Sequence, residues 1–528
     1  MTRGPNRYLL TGLLLVANAL THATEDTPRF NVLDIQIWGN TVLDDEALET
    51  AVYPYLGLDK TLEDVEQARQ SLEKAYHEAG YASVLVEIPA QDIDDETGAV
   101  RFNVVEGQIE SLTITGSRYY DLDKIRERLP ALAEGEVPNM PKVQEQINTL
   151  AQESADRNIT PIMRAGSTPG KMEVELRVKD ELPLHGSLEM NSRNAEMTSY
   201  SRLVATLRYD NLWQEFHSAS LQYQVSPEKS DEVEVWSGTY VLPTHWWDTR
   251  LALYGVGISS NTELGVAIGG ATVVGTGTIF GARLVKPIAI SDWIQHSLTA
   301  GFDYKSFDQA VALTPEQQTE DSVSYASFML GYDATWRGDQ FVDSANLAVH
   351  FSVRGLGNDA DEFAAKRVGA KPDFIYLTGG LKHQHQLPLD FRLLAQAQGQ
   401  VSAQPLISNE QFSAGGVQSV RGYHQTQLLG DHGINLSLEI QSPRLLSAEW
   451  QDWQNFRLLG FFDWAGLWTR QAIAPTPAFA DLASAGLGLR FSAFRHLTGE
   501  FDWAYPLMKQ GTVDVGQNRV DFRLVYDF

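Results

Sequence analysis

The 528-residue chain contains no cysteine. A disulfide framework, a thiolate metal site and a cysteine nucleophile are all excluded by that absence. Positive charge is scarce as well: 41 Lys and Arg stand against 68 Asp and Glu, a formal net charge of −27. Nucleic-acid binding needs a cationic footprint, and this balance argues against it. Beyond the N-terminal segment no run of eighteen apolar residues occurs, which argues against a helical membrane protein. The chain also has no GxSxG elbow, no phosphate loop and no carboxylate pair at a spacing that marks a catalytic dyad. "HQH" (His383 to His385) is read as alternating across a strand with its imidazoles on opposite faces, which argues against a closed metal site. An enzyme reading therefore has no support, and no cofactor or metal is expected.

The N-terminus carries more information. Arg3 and Arg7 precede the apolar run "YLLTGLLLVANAL", and Thr21 and Ala23 stand at small-residue cleavage positions. This pattern predicts a secretory signal peptide over 1–23, the alternative being a first transmembrane helix. Residues 30–107 then read as one unit. "FNVLDIQIWGN" alternates Val32, Ile35 and Ile37 and ends in the turn pair Gly39-Asn40. "TLEDVEQARQSLEKAYHEAG" sets Leu62, Val65, Leu72, Tyr76 and Ala79 at helical spacing, with Thr61 as N-cap and Gly80 as the stop. Two strands, "YASVLVEIP" and "AVRFNVVEG", follow. The pattern returns over 108–180, where Leu112, Ile114 and Gly116 stand 77 residues after Ile35, Ile37 and Gly39. Each unit can bury a small core by covering one sheet face with helices. An exposed sheet edge could also take up an extended chain, with Val143 and Ile147 either lining a client groove beside it or serving as the repeat's own core.

From residue 185 helical periodicity largely vanishes. "SRLVATLRYDNL", "LTAGFDYKSF", "SYASFMLGYDATW", "GINLSLEIQSP" and "RVDFRLVYDF" alternate with period two. In the last, Phe522, Leu524, Tyr526 and Phe528 face one way and Asp521, Arg523, Val525 and Asp527 the other. That alternation predicts an all-β transmembrane barrel over 185–528. A secreted sandwich would alternate similarly, but so long a run of strands lacks a covering helical layer. A sheet in hydrocarbon must close, because unpaired edge amides there cost several kcal/mol each. Five strands are predicted near 432–441, 455–468, 484–494, 499–508 and 519–528, and about eleven before them, giving about sixteen antiparallel strands with an uncertainty of about two.

Within this region "QFSAGGVQSVRGYHQ" holds one arginine among glycines and apolar residues. Taken with the two repeats, "GGVQSVRGY" (Gly415 to Tyr423), "GFFDWAG" (Gly460 to Gly466) and the final Phe528, the chain resembles the two-partner secretion transporters of the outer membrane. These form the haemolysin/haemagglutinin secretion-activation family of the Omp85 superfamily, and the resemblance covers nearly all of the chain after the signal peptide. It implies a 16-stranded barrel with two N-terminal POTRA-like domains of α+β build in the periplasm of a Gram-negative cell. The domains would capture an unfolded exoprotein, and the client would cross the pore and fold outside without ATP. A loop around 405–430 would fold into the lumen with Val420, Arg421, Gly422 and Tyr423 at its tip and Gly415 and Gly416 in its flexible part. Its partner on the barrel wall would be the motif carried by Phe461 and Asp463.

The chemistry of that pairing stands by itself. Arg421 can offer Asp463 a planar bidentate fork, which lysine cannot. In a partly dehydrated lumen such a pair would fix position more than it adds net stability. Tyr423 could pack on the wall while its hydroxyl finds a polar partner. Three departures from the family pattern stand out. Ala465 occupies the usual glycine of the wall motif, with Gly466 one later, so close approach of the tip is in question there. The last strand lacks the glycine often found in the assembly signal but keeps Phe522, Leu524, Tyr526 and Phe528. Only Thr24 to Arg29 separate the expected cleavage from the first repeat, leaving no room for a plug helix, so closure would fall to the inward loop and the repeats.

The expected partners are the unfolded exoprotein, outer-membrane lipid and lipopolysaccharide, and the barrel-assembly machinery during biogenesis; a monomer is expected. Two other functions compete. An assembly factor of the same superfamily would share the barrel and loop but generally carries more than two repeats. A substrate-specific porin-like channel or adhesin barrel would leave the repeats unexplained.

Overall fold

Which segments become helix and which become strand follows from the period of their apolar residues. The computed structural model describes residues 28–528 except 94–96, 155, 197, 245, 260–275, 291–292, 309–321, 358 and 447–451. The expected signal peptide, its cleavage point and Thr24 to Thr27 lie outside the described residues.

The first repeat runs β1 (Phe30–Val32), β2 (Asp34–Trp38), α1 (Asp45–Val52), β3 (Gly57–Lys60), α2 (Leu62–Glu78), β4 (Leu85–Glu87) and β5 (Ala99–Val105). β5 is the centre of a three-stranded sheet, parallel to β2 and antiparallel to β4, and β1 pairs separately with β3. Thr61 and Asp64 form a reciprocal capping box at the start of α2. Its far end stops at Gly80, whose φ of +97° an L side chain rarely adopts. Val65, Leu72 and Tyr76 of α2 are buried in one cluster with Val86, Val100 and Phe102 of the sheet. Leu62, at the same spacing, is 64% exposed and lies outside that cluster.

The second repeat runs β6 (Gln108–Thr115), α3 (Leu122–Glu127), α4 (Met140–Glu153), β7 (Arg157–Ala165) and β8 (Lys171–Asp180), with sheet order β6-β8-β7. The sequence repeat has a stereochemical counterpart. Gly39 (φ +94°) and Gly116 (φ +90°) leave their strands in the same left-handed conformation, and a Cβ at either would strike a backbone carbonyl, that of Val104 or Val178. Of the two uses left open for Val143 and Ile147, burial supports the repeat's own core: they are 1% and 7% exposed, so α4 spends them on packing and not on a surface groove. By its contacts the chain divides into two compact units. One runs through Thr113 and takes in Leu129–Gln146 and Pro161–Leu176; the other holds Ile114–Arg128, Ile147–Thr160 and Arg177–Phe528.

Sixteen strands of the second unit close into an antiparallel barrel. In order they are β9 (Leu184–Asn191), β10 (Arg202–Leu212), β11 (His217–Val225), β12 (Glu234–Pro243), β13 (Arg250–Ile258) and β14 (Gly277–Ile290). Next come β15 (Ile294–Phe307), β16 (Val323–Arg337), β17 (Phe341–Phe351), β18 (Ile375–Gln386) and β19 (Arg392–Ser402). A short hairpin of β20 (Phe412–Ala414) and β21 (Leu428–Gly430) interrupts the series without joining the barrel. The last five barrel strands are β22 (His432–Gln441), β23 (Trp453–Trp468), β24 (Phe479–Ala493), β25 (Leu497–Pro506) and β26 (Arg519–Asp527). Eleven barrel strands thus precede the hairpin and five follow it, as the alternation predicts.

β26 closes the ring on β9, pairing Tyr526 with Leu188, and the seam reaches the final residue through two hydrogen bonds of 2.9 Å between Gly186 and Phe528. Tyr526 and Phe528 are exposed on the outer face, while Asp521 and Val525 are buried on the inner one. Leu207, Leu298, Leu330, Leu381 and Leu487 are likewise exposed outward. The inner face carries ion pairs such as Arg283–Asp303 and Arg523–Glu189. Apolar outside and polar inside is the pattern of a barrel solvated by hydrocarbon. Among the described residues no helix is long and apolar enough to cross a membrane.

The His383–His385 pair is another correction. Residues two apart in a strand share a face, so the rings lie together, stacked with centroids 5.6 Å apart, and His383 is bonded to Asp343 at 2.5 Å. Among the described residues these side chains do not form a group of three ligand-type atoms within 4.8 Å of one another.

A pH dependence follows from the second repeat. Glu110 accepts from the side chains of Thr168 and Ser167 (2.8 Å each) and from both backbone N–H groups, and these bonds hold its carboxyl down at about 2. A folded-state pKa below the ordinary 4.5 contributes stability above that value and loses it as pH falls toward 2. Glu110→Gln should therefore speed amide exchange in the Gly166–Thr168 turn at pH 7, with the difference from wild type vanishing by about pH 2. Exchange measured across that range checks it; a constant difference would refute the linkage.

Candidate functional site

Between β19 and β22 the chain turns into the barrel, and the β20–β21 hairpin carries the segment from Gly415 to Gln427. Gly415 and Gly416 have φ of +111° and +95° and are buried; a Cβ at either would meet His424 or Gln425. They bend a packed segment, so the expected flexible stretch is a tight corner.

At the tip Val420, Arg421 and Tyr423 are 0%, 5% and 0% exposed. Arg421 makes the fork expected of it. Its Nε donates to Asp463 Oδ2 at 2.7 Å and its Nη2 to Asp463 Oδ1 at 2.9 Å. The Arg421 backbone N–H adds a third bond to the same carboxylate at 3.2 Å. Asp463 is fully buried on β23, and Ser437 of β22, its cross-strand neighbour, donates to it at 2.7 Å. The guanidinium lies 3.5 Å above the ring centroid of Phe461, the other residue of the wall motif. That ring lies against Gly486 of β24, where a side chain would collide with it and with the Trp503 carbonyl.

The pairing extends further than the expectation. Arg421 Nη1 also donates to Glu439 Oε2 at 2.9 Å and stands 3.7 Å from Asp502 Oδ1. Asp502 is itself gripped by the fork of Arg490 at 2.9 and 3.0 Å. Four strands, β22 to β25, thus supply the groups around one guanidinium. Glu439, Ser437, Arg490 and Asp502 lie in unrelated stretches of sequence. Only the register that sets Glu439 opposite Phe461 and Ser437 opposite Asp463 identifies them.

Gly422 has φ +89°, and a Cβ there would come within 3.0 Å of Ala504 and 3.3 Å of Pro506 on β25, so the tip lies directly on the wall. Tyr423 is clamped beside it: its hydroxyl sits 2.9 Å from Ala483 O and 2.8 Å from Met508 O and accepts the Met508 N–H at 3.2 Å. Ala465 does not hold the tip away. It is fully buried in one apolar cluster with Val420, Tyr423, Leu467 and Leu482, where its methyl adds contact area. Gly466 cannot replace it, since a Cβ at 466 would face Trp464 and Phe479 on the outer side.

A second apolar cluster was not legible in the sequence. Helix α5 (Ala360–Lys366), in the β17–β18 connection, buries Phe363 among Tyr325, Phe374 and Tyr376 together with Leu406 and Ile407. Ring centroids of Phe363 and Tyr325 are 5.3 Å apart. Wall residues of β12 to β16, which would face water in an open channel, are thereby covered. Elsewhere Asp156, His185 and Asp210 place ligand-type atoms within 4.8 Å of one another. His185 Nε2 is already bonded to Asp156 at 2.9 Å, and Arg208 neutralises Asp210 at 2.9 Å. Ser154 adds a bond to Asp156, so hydrogen bonding accounts for this group.

Removing the buried cation would leave Asp463, Glu439 and Asp502 without their shared partner. Breaking such a site by deleting one charge costs about 3–5 kcal/mol. Arg421→Ala should therefore lower the heat-unfolding midpoint of the barrel, read as loss of heat-modifiable gel mobility at a lower temperature, and Arg421→Lys should recover only part because an ammonium lacks the fork. An unchanged midpoint for Arg421→Ala would show that the three carboxylates do not depend on it.

Comparisons with known proteins agree with this geometry. The family model described as haemolysin secretion/activation protein ShlB/FhaC/HecB matches residues 170–491, and that of the ShlB-type POTRA domain matches residues 30–107. The outer membrane transporter CdiB of Dickeya dadantii is 22% identical over 437 residues, 81% of this chain and 73% of that protein. CdiB of an Escherichia coli O6 strain is 23% identical over 447 residues, 81% of this chain and 71% of that one. Among solved structures, Escherichia coli CdiB superposes with a TM-score of 0.71 at 18% identity, covering 97% of this chain and 93% of its own. BamA of Haemophilus ducreyi, lacking POTRA domains 1–3, superposes at 0.55 and 16% identity, over 94% of this chain and all of that one. The chain belongs to the ShlB/FhaC/HecB family of two-partner secretion transporters, outer-membrane barrels of the Omp85 superfamily with periplasmic POTRA domains that work with a secreted exoprotein partner.

Proposed function

We propose that this chain captures an unfolded exoprotein in the periplasm and passes it through its own barrel to the cell surface, with no nucleotide hydrolysis. Residues 30–107 and 108–180 act as two POTRA-like domains that take up the client, and 185–528 is the conduit. The observation that carries the reading is the tip of the inward loop, fastened to the inner wall through Arg421. Its polar contacts are hydrogen bonds and ion pairs, which water or a polar client backbone can replace one by one, so the loop is held in place yet releasable. An entering extended segment pairs with an open sheet edge of a POTRA-like unit, as strand addition allows. Folding of the client outside then makes its passage irreversible.

The assembly-factor reading shares barrel and loop but inserts its clients sideways, through the β26–β9 seam. That seam is hydrogen-bonded to the last residue of the chain, which favours passage along the lumen. The C-terminal residues Phe522, Leu524, Tyr526 and Phe528 serve recognition by the barrel-assembly machinery. A monomer suffices, since the ring closes within one chain.

Cells expressing this chain together with its exoprotein partner should release that exoprotein into the medium. Arg421→Ala should reduce release at least tenfold while the barrel still reaches the outer membrane with heat-modifiable mobility. Undiminished release would overturn the loop-tip mechanism; absence of release by the wild type with that client would overturn the transport reading.

A further inference from the structure

The Arg421 site holds only the tip of the inward loop. Its stem is the β20–β21 hairpin, three residues a strand, with Phe412 opposite Gly430 and Ala414 opposite Leu428. A two-stranded ribbon this short has little stability of its own, so its direction across the lumen must come from what holds its feet. Each foot carries a buried carboxylate. Glu410, two residues before β20, is 4% exposed, and Asp431, directly after β21, is 0% exposed.

Glu410 is met by three strands of the barrel wall. Lys305 of β15 donates to it at 2.6 Å, Tyr376 of β18 donates at 2.6 Å, and the Tyr325 hydroxyl of β16 donates as well. Asp431 accepts the two-pronged fork of Arg367, one prong at 2.7 Å, and the backbone N–H groups of Leu406 at 2.8 Å and Arg470 at 2.7 Å. Gln400 ties the feet together, its Nε2 lying 3.0 Å from Glu410 O and 3.4 Å from Asp431 O. The Glu410 foot and the tip therefore fasten to different arcs of the ring: β15, β16 and β18 hold Glu410, whereas β22 to β25 surround Arg421. The Asp431 foot stands between them, directly before β22 and bonded to Arg470 just past β23. Arg367 follows α5, so the Asp431 clamp also links the stem to the segment that buries Phe363.

Resting on the transport reading above, we infer that Glu410 and Asp431 are positioning residues for that activity: they clamp both feet of the stem and set the line along which the tip meets the wall. Neither touches the client in this scheme. With both clamps closed the stem is a strut across the lumen; release of the Arg367–Asp431 fork frees one foot while Glu410 keeps the other as a pivot.

The test uses the purified full-length protein in detergent, without client, and the same variants in cells. In Glu410→Gln, amide exchange of Phe412–Ala414 and Leu428–Gly430 should quicken at least tenfold, while β23 amides stay as in wild type. In planar bilayers with KCl as the probe, opening events should become several-fold more frequent. Asp431→Asn and Arg367→Ala should act in the same direction. The double variant Lys305→Met/Glu410→Met separates positioning from charge balance. If Glu410 served only to neutralise Lys305, the double variant would restore wild-type exchange and opening frequency, and the inference would be overturned. Positioning requires that both stay raised, because the tyrosine hydroxyls have lost their acceptor. Should Glu410→Gln fail to insert, Tyr325→Phe/Tyr376→Phe carries the test, with at least threefold faster stem exchange expected and wild-type exchange overturning it. Loosened stems in the variants together with no client export by the wild type would sink the transport reading alone; wild-type export that every variant keeps, with an unaltered stem, would sink this inference alone.

Discussion

A guanidinium removed from water must find acceptors where it lies, and much of this barrel's interior is arranged around that demand. Arg421 sits on a loop that has left the surface, so its partners come from the wall, and three strands, β22, β23 and β25, contribute them. The interaction is directional in every part. The fork fits the Asp463 carboxylate edge-on, the Phe461 ring takes the flat face, and Glu439 takes the remaining edge. A buried pair of this kind adds little net stability over an apolar substitute, because desolvation offsets the attraction. What it supplies is a single position for the tip. Gly422 and the Tyr423 hydroxyl then hold the same position by shape and by hydrogen bonding.

Barrel closure is the condition for all of this. A lumen walled by sixteen paired strands keeps its ionic groups away from lipid and limits their access to water, which is where such contacts gain weight. The same enclosure lets apolar side chains pack inside. Val420, Tyr423 and Ala465 form one buried group near the tip, and Phe363, Tyr325 and Phe374 another near the loop's root. Among the described residues the lumen thus holds two apolar groups beside its ionic ones, a composition suited to parts that must stay in place and later move. Asp431 joins the two regions, since its fork partner Arg367 belongs to the connection that bears Phe363.

The family relationship places these features without explaining them. Identity to the matched CdiB proteins is near one residue in five, yet the fold is shared over almost the whole chain. Substituting most of the outward residues for other apolar ones leaves the alternation unchanged, and alternation is what the bilayer reads. The loop tip has no such freedom. Ala465 shows how far it can vary: a methyl is accepted where glycine is usual, buried in one cluster with Val420 and Tyr423.

Periodicity alone determined the order of elements. The spacing of Val65, Leu72 and Tyr76 specified a helix, and the alternation of Phe522, Leu524 and Tyr526 specified a strand with one apolar face, because each rests on local backbone geometry. The strand number and the Arg421–Asp463 pairing were legible too, the first from repeated alternation and the second from a resemblance in two short motifs. His383 and His385 were misread although the same period-two rule places them on one face. Glu439, Asp502, Glu410 and Asp431 could not be picked out of 68 acidic residues, since nothing local marks a carboxylate that will be buried. Val143 and Ile147 were ambiguous for a related reason: an apolar helix face looks alike whether it covers a sheet or lines a groove. Tertiary structure decided those cases, because strand register and barrel closure bring together side chains that are remote along the chain.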